Sequence, residues 1–489
     1  MMYGEEKSDS LIVAANLANN PQGAESVERR SGAKGNAEQP HMRRTQSRES
    51  MSQRLSRVRE AAKQRKKERF TALFHLLTAE ALENAFLSLS RKAAAGVDGV
   101  RWKDYAENLK VNIADLHRRL HQGSYRAQPG RRHYIPKADG KQRPLGIASL
   151  EDKIVQYALV KILNAVYEND FMGFSYGFRP GRSQHNALDA LATGLVRTNV
   201  NWVLDADISQ FFDKVSHEWL IRFIEHRIGD QRVIRLIRKW LTAGTSEEGE
   251  WRASEEGTPQ GAVISPLLAN IYLHYVFDLW AHQWRRRHAT GNVVMVRYAD
   301  DIVIGFDKRI DAQCFRIAMQ RRLKEFGLTV HPKKTRLMEF GRFAAENRAS
   351  RGKGKPETFN FLGFTHISGK DRSGRFMLIR KTRRDRMTAT LKAIKDGLRK
   401  RWHYSIPEQG KWLRRVVQGY LNYHSVPGNY PMMRKFRIYV TDLWRRALRR
   451  RSQQDDTTWT KANRLAAVWL PKVRVLHPWP VERFTARHP

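Results

Sequence analysis

Asp300 and Asp301 are adjacent carboxylates, with Val293-Val294-Met295-Val296 before them and Ile302-Val303-Ile304 after them. Each apolar run has strand length and is too short for a typical helix. The spacing predicts a hairpin with Tyr298, Ala299, Asp300 and Asp301 at its tip. Aspartate is common in turns, but the long β-branched flanks weigh against a plain polar turn. Two like charges side by side cost free energy unless a cation neutralises them. A divalent ion that prefers oxygen ligands, such as Mg2+, suits them.

One hairpin holds too few carboxylates for a two-metal site. A second donor lies upstream, in Trp202-Val203-Leu204-Asp205-Ala206-Asp207, followed by Phe211-Phe212-Asp213. This is an apolar strand ending in acid. With Asp207 beside Asp300 and Asp301, three carboxylates could hold two Mg2+ ions about 3.5–4 Å apart, a clamp for the attacking and leaving oxygens of phosphoryl transfer. Asp205 falls on the same face as Asp207 and stays an alternative donor. Asp213 reads as structural.

Other elements position this cluster. His133 to Ile147 reads as a β-hairpin turning at Asp139-Gly140. It carries Lys137, Lys141 and Arg143, cations able to grip a triphosphate. Phe178-Arg179-Pro180-Gly181-Arg182-Ser183 is a structured loop opening a helix at Ser183. Its Gly, Pro and Ser fit a helix cap, and its two arginines point beyond one. In Gly257-Thr258-Pro259-Gln260-Gly261, Gly and Pro form a turn before a helix that starts at Ser265-Pro266.

In this order, the Asp207 strand with Phe-Phe-Asp, Pro-Gln-Gly and Tyr-Ala-Asp-Asp resemble the palm of a reverse transcriptase. Gly96-Val97-Asp98-Gly99 and the later Gly419-Tyr420-Leu421-Asn422-Tyr423 narrow the resemblance to group II intron-encoded reverse transcriptases with maturase function. The resemblance covers about residues 70 to 480. It implies an α/β (α+β) right-hand polymerase: fingers, an antiparallel palm sheet, then a helical thumb and maturase domain. The implied reaction is RNA-directed DNA synthesis with two Mg2+ ions on Asp207, Asp300 and Asp301. The implied partners are dNTPs, DNA target and primer, and the host intron RNA, whose splicing and retrotransposition the protein promotes; a homodimer is left open. Lys137 and Arg143 match basic positions that grip the dNTP. Phe212 matches the gate against a 2′-hydroxyl. Gln260 and Gly261 match positions against the nascent base pair, and Lys333, with Lys334, a basic position that holds primer or phosphate. The expected domains are a disordered leader at 1–60 that becomes helical near Ser52, a helical extension at 61–125, fingers and palm at 126–370, thumb and maturase at 371–455, and a basic tail at 456–489. His477 and His488 have no cysteine partners, so a zinc endonuclease domain is not expected. Two rivals are a splicing factor with little polymerase activity, disfavoured by the three intact carboxylates, and a bacterial reverse transcriptase of phage defence, disfavoured by the maturase-like segment.

The whole chain agrees. In 489 residues, 89 Lys and Arg face 49 Asp and Glu, a net charge of +40 that calls for a polyanionic partner. Thirteen Trp, fifteen Tyr and twenty-one Phe offer surfaces for base stacking. The single cysteine excludes an internal disulfide framework and points to a reducing compartment. No apolar run approaches the ~20 residues of a membrane span, and the start does not read as a secretory signal. A cytoplasmic, nucleic-acid-associated protein is expected.

Overall fold

A computed structural model of the chain describes residues 38–136, 142–247, 249–451 and 457–487. The mixture of helix and sheet is of the expected α/β class. Three sheets run through the described residues. The first orders its strands β2 (Gln142–Ile147), β1 (Gly130–Pro136), β4 (Thr245–Glu247) and β5 (Glu250–Arg252). The central sheet is antiparallel, with β3 (Trp202–Asp207) between β7 (Asp301–Phe306) and β8 (Arg336–Glu339), and β6 (Val293–Tyr298) at its edge beside β7. The third joins β9 (Phe359–Phe361), β10 (Phe364–Lys370) and β11 (Phe376–Thr382).

The central hairpin reads as two continuous apolar runs because both of its faces are covered. Val293, Met295, Ile302 and Ile304 enter a core shared with the helices Leu150–Tyr167, Ser265–Leu273 and Arg309–Glu325. Val294, Val296 and Val303 enter a second core, under the helix Gln184–Arg197 and the third sheet. The strand period of two thus feeds two cores at once.

The helix Glu38–Gln64 begins well before Ser52, so helix covers part of the stretch expected as disordered leader; residues 1–37 of that leader lie outside the described residues. The apolar repeat from Phe70 to Leu89 is split into a short turn of helix at Phe74–Leu76 and a helix at Ala79–Ser88. Asp230 marks one anchor of this region: its carboxylate accepts the N–H groups of Leu73 and Phe74, each at 2.8 Å, as well as capping its own helix. Among the described residues, no helix is long and apolar enough to cross a membrane.

After β11 the chain is helical: Arg384–Arg399, Ile406–His424, Tyr430–Arg449 and Trp459–Trp469 surround their own core of Leu413, Val417, Phe436, Val440 and Trp444. The last helix, Pro480–Arg487, returns to the helix Gln184–Arg197. There Asp189 pairs with Arg483, and its other oxygen lies 3.7 Å from Arg380 of β11. Both arginines are largely shut off from water, so Asp189 is the counter-charge for two buried cations. Removing one side of such a cluster leaves charge without compensation. Asp189→Ala is expected to cost about 3–5 kcal/mol in denaturant unfolding, and Asp189→Leu combined with Arg380→Met and Arg483→Met should recover a large part of that loss.

Candidate active site

The turn between β6 and β7 has two residues, Ala299 and Asp300, since Tyr298 and Asp301 are register partners. Ala299 takes φ +57°, a left-handed conformation costly for a residue with a side chain. Two contacts hold it there. A Cβ on Gly177 would lie 2.3 Å from the Ala299 nitrogen, so only glycine lets the preceding loop lie against the turn. Beneath it, Arg297 is fully buried. Its Nε donates to Asp278 Oδ1 at 2.7 Å, one Nη to Asn270 Oδ1 and the Ala299 carbonyl, and the other Nη to Ser175 Oγ and Asp278 Oδ2. All five guanidinium N–H groups therefore have a partner.

The same arginine's backbone binds the loop: Arg297 N–H donates to the Phe174 carbonyl, and the Arg297 carbonyl accepts from Tyr176 N–H. The Asn270 side chain donates to the Gly177 carbonyl at 2.6 Å. The two arginines of that loop are spent on the loop itself. Arg179 is buried against Glu168 and donates to the carbonyls of Met172 and Ser175, and Arg182 donates to those of Gly173 and Ser175. Their role is to satisfy a turning backbone, contrary to the reading that two arginines point beyond a cap.

On the adjoining strand, Asp207 is the register partner of Asp301. Asp205, two residues back, faces Val303 and Arg336 instead, so the acid that meets Asp301 is Asp207. Asp207 is fixed by the segment before β8: its carbonyl accepts from His331 N–H at 2.7 Å, and Lys334 Nζ lies 2.7 Å from its Oδ2. Among the described residues, no three His, Cys, Asp or Glu side chains form a ready metal-binding cluster. The cation at Asp207 is the Lys334 ammonium.

Residues 135–366 match the family model of the reverse transcriptase (RNA-dependent DNA polymerase). Protein YkfC of Escherichia coli (strain K12) is 43% identical over 206 residues, 41% of this chain and 54% of its own length. Group II intron-encoded protein LtrA of Lactococcus lactis subsp. cremoris is 37% identical over 223 residues, 45% of this chain and 37% of its own. The putative COX1/OXI3 intron 1 protein of Saccharomyces cerevisiae is 26% identical over 393 residues, 66% of this chain and 46% of its own. The chain is thus similar to reverse transcriptases over residues 135–366 and, over part of its length, to a group II intron-encoded protein. The chain spans just over half of the length of YkfC and well under half of that of LtrA.

Within this matched segment the other expected site residues are distributed as follows. Arg143, exposed on β2, is close enough to the turn for its charge to favour the ionised form of Asp300. Lys137 lies outside the described residues. Phe212 is half-buried, edge-on to Phe211 at 5.3 Å between ring centres, and its carbonyl accepts from Thr258 N–H. That bond ties the Pro-Gln-Gly turn to the Asp207 segment. Gln260 donates to Asp213 Oδ1 at 2.8 Å, and its carbonyl accepts from Gly146 N–H of β2. Gly261, at φ +108°, lets the turn close on β2: a Cβ there would meet the Gly146 carbonyl at 3.0 Å. Of the two lysines before β8, Lys334 reaches Asp207, while Lys333 is exposed with its N–H turned to His331. Sequence reasoning missed Arg297, Asn270 and Asp278; the available signal was an arginine inside an otherwise apolar strand.

The acids repel one another. The surrounding chain crowds water away from Asp301 and raises its pKa to about 7, with Asp300, Asp207 and Asp205 adding repulsion and Lys334 opposing it. The side chain keeps an open face to solvent, so this tension is partly screened. Burial likewise raises Asp300, and raises Asp205 to about 6. An acid raised on folding holds its proton more tightly in the folded chain. Its contribution to stability is greatest below the unfolded value of about 4 and is lost as pH climbs through about 7. In chelator, Asp301→Asn should therefore melt about 2 °C above the wild type at pH 8, with the gap closing at pH 5. An equal gap at both pH values would show that charge repulsion is not its source.

Proposed function

We propose that this chain is an RNA-directed DNA polymerase that also binds a group II intron RNA to promote its splicing and retrotransposition. The carrying observation is that Asp207 and Asp301 are register partners at one end of the central sheet, with Asp300 in the adjoining turn. This lies inside the segment matched to reverse transcriptases. The names of relatives, a group II intron-encoded protein and a nuclear intron maturase of Arabidopsis thaliana, support the RNA partner. In this reading β1, β2, β4 and β5 belong to the fingers, the central sheet is the palm, and the helices from Arg384 onward are the thumb and maturase domain.

The donor chemistry fits Mg2+. Asp207, Asp300 and Asp301 present hard oxygen ligands that repel one another and already attract the Lys334 ammonium. These three residues would hold two ions. Mg2+ bound there supplies charge neutralisation at the triphosphate and a more acidic primer hydroxyl. The chain's own groups do the remaining work. Arg143 and Lys137 attract the triphosphate. Gln260, oriented by Asp213, and the bare backbone of Gly261 present a surface to the new base pair. Phe212 lies under the sugar and excludes a 2′-hydroxyl, and Lys333 meets the primer phosphates. The +40 charge holds the nucleic acid through phosphate contacts, so binding should weaken steeply with salt.

Primer extension on an RNA template with Mg2+ and dNTPs tests this reading. Asp300→Ala/Asp301→Ala is expected to lower synthesis more than about a thousandfold, the several kcal/mol that a metal clamp supplies. RNA binding should be retained. Absence of synthesis by folded wild type would leave the RNA-binding role alone. In the same assay Phe212→Ala should raise ribonucleotide use relative to deoxyribonucleotide use by about tenfold, the scale of discrimination by a small steric clash. An unchanged ratio would remove Phe212 from sugar selection.

A further inference from the structure

We propose that the C-terminal helical bundle carries a pocket for one unstacked nucleotide of single-stranded RNA, formed by Trp402, Gln409 and four cations. This rests on the RNA-binding part of the reading above and names a site for it. A cavity of about 120 Å³ opens between the helices Arg384–Arg399 and Tyr430–Arg449 and the start of Ile406–His424. Its floor is Leu398, Leu443 and Ala447, all buried or half-buried. Trp402, in the turn between two helices, forms a wall and is 36% exposed. An indole left half in water beside an apolar slot is a stacking surface without a stacked partner. The slot takes a planar ring; it is far too small for a duplex.

The rim says what the ring is attached to. Lys395 and Arg399 of one helix, Arg446 of the other and Arg450 just past its end line the cavity, all exposed. Only Arg446 is drawn to an acid, Asp442, among these four as described. Cations at the mouth and an apolar, aromatic interior match a nucleotide with its base inside and its phosphates outside. An acidic peptide would satisfy the rim and leave the slot unfilled. At the floor, Gln409 is 1% exposed and held rigidly: its Oε1 accepts from Trp444 Nε1 at 2.9 Å and its Nε2 donates to the Arg401 carbonyl at 2.7 Å. A carboxamide nitrogen carries two N–H groups, of which the bond to Arg401 uses one, and Gln409 itself lines the cavity. A base within a helix is already stacked and paired, so the pocket selects single strands, bulges or loops, which is where sequence-specific RNA recognition concentrates.

The test uses the full chain and a single-stranded RNA carrying one photoreactive bromouridine, with the same sequence as a duplex for comparison. Irradiation should join the base to the peptide containing Trp402. Trp402→Ala should weaken single-strand binding about tenfold, the effect of losing one base stack, with an unchanged salt slope and unchanged duplex binding. Trp402→Phe should retain most of the affinity, which a merely unfolded bundle would not. Tight RNA binding by wild type with equal affinity in Trp402→Ala and cross-links elsewhere would overturn the pocket and leave RNA binding standing. Folded wild type that binds neither RNA would overturn both.

Discussion

The site depends on one buried ion pair, Arg297 with Asp278. Neither side chain reaches water. Two charges in that position are tolerable only when geometry and hydrogen bonding are close to complete, and here the guanidinium has a partner for every N–H. Because one of those partners is the Ala299 carbonyl and another is Ser175, the pair fixes the left-handed turn and the loop that packs on it. Asp278 closes a π-helical segment, His274–Asp278, between two α-helices. Such a bulge is costly in isolation and is common beside functional sites; here it ends on the acid that anchors Arg297. A strained turn, a helix irregularity and a buried charge support one another, and none would persist alone.

Above that compensated pair lies a group of charges with the opposite property. Asp205, Asp207, Asp300 and Asp301 face too few cations, and crowding holds several of them at raised pKa. The two arrangements belong together. A cluster of repelling carboxylates would push a flexible hairpin apart, so it needs a rigid base. The base is rigid because its own charges are fully paired. Lys334 relieves part of the repulsion from an exposed position, where it can be displaced at small cost.

Much of this was legible because it is local. The hairpin, the strand ending at Asp207 and the Ser183 and Ser265 helix starts follow from period, turn residues and caps, while the register that narrows the tip from Tyr298–Asp301 to Ala299 and Asp300 does not. The partners that lock them were not legible. Arg297 meets Ser175 across 122 residues, and Arg483 meets Asp189 across 294, distances at which periodicity carries no information. Arg179 and Arg182 show the same limit from the other side: their types suggested a ligand, and only the carbonyls around them reveal that they finish a loop. Lys333 and Lys334 could not be ranked from sequence because one residue of register decides which of them reaches Asp207.

The last constraint joins the acids to the basic bundle. The bundle keeps its place relative to the carboxylates only if it cannot drift. Three ties prevent drift. Tyr423 donates to the Leu362 carbonyl at 2.9 Å, Asn429 bonds both the backbone and side chain of Thr382, and the C-terminal helix brings Arg483 back to Asp189. His477 reinforces the third: it lies against His185, meets the Asn422 carbonyl and contacts Arg483. Each tie crosses from the bundle or its tail to the second core, the one that also covers Val294, Val296 and Val303 of the hairpin. The bundle and the acid-bearing hairpin are therefore both packed against one core, so that a force applied at the bundle reaches the hairpin through close-packed side chains.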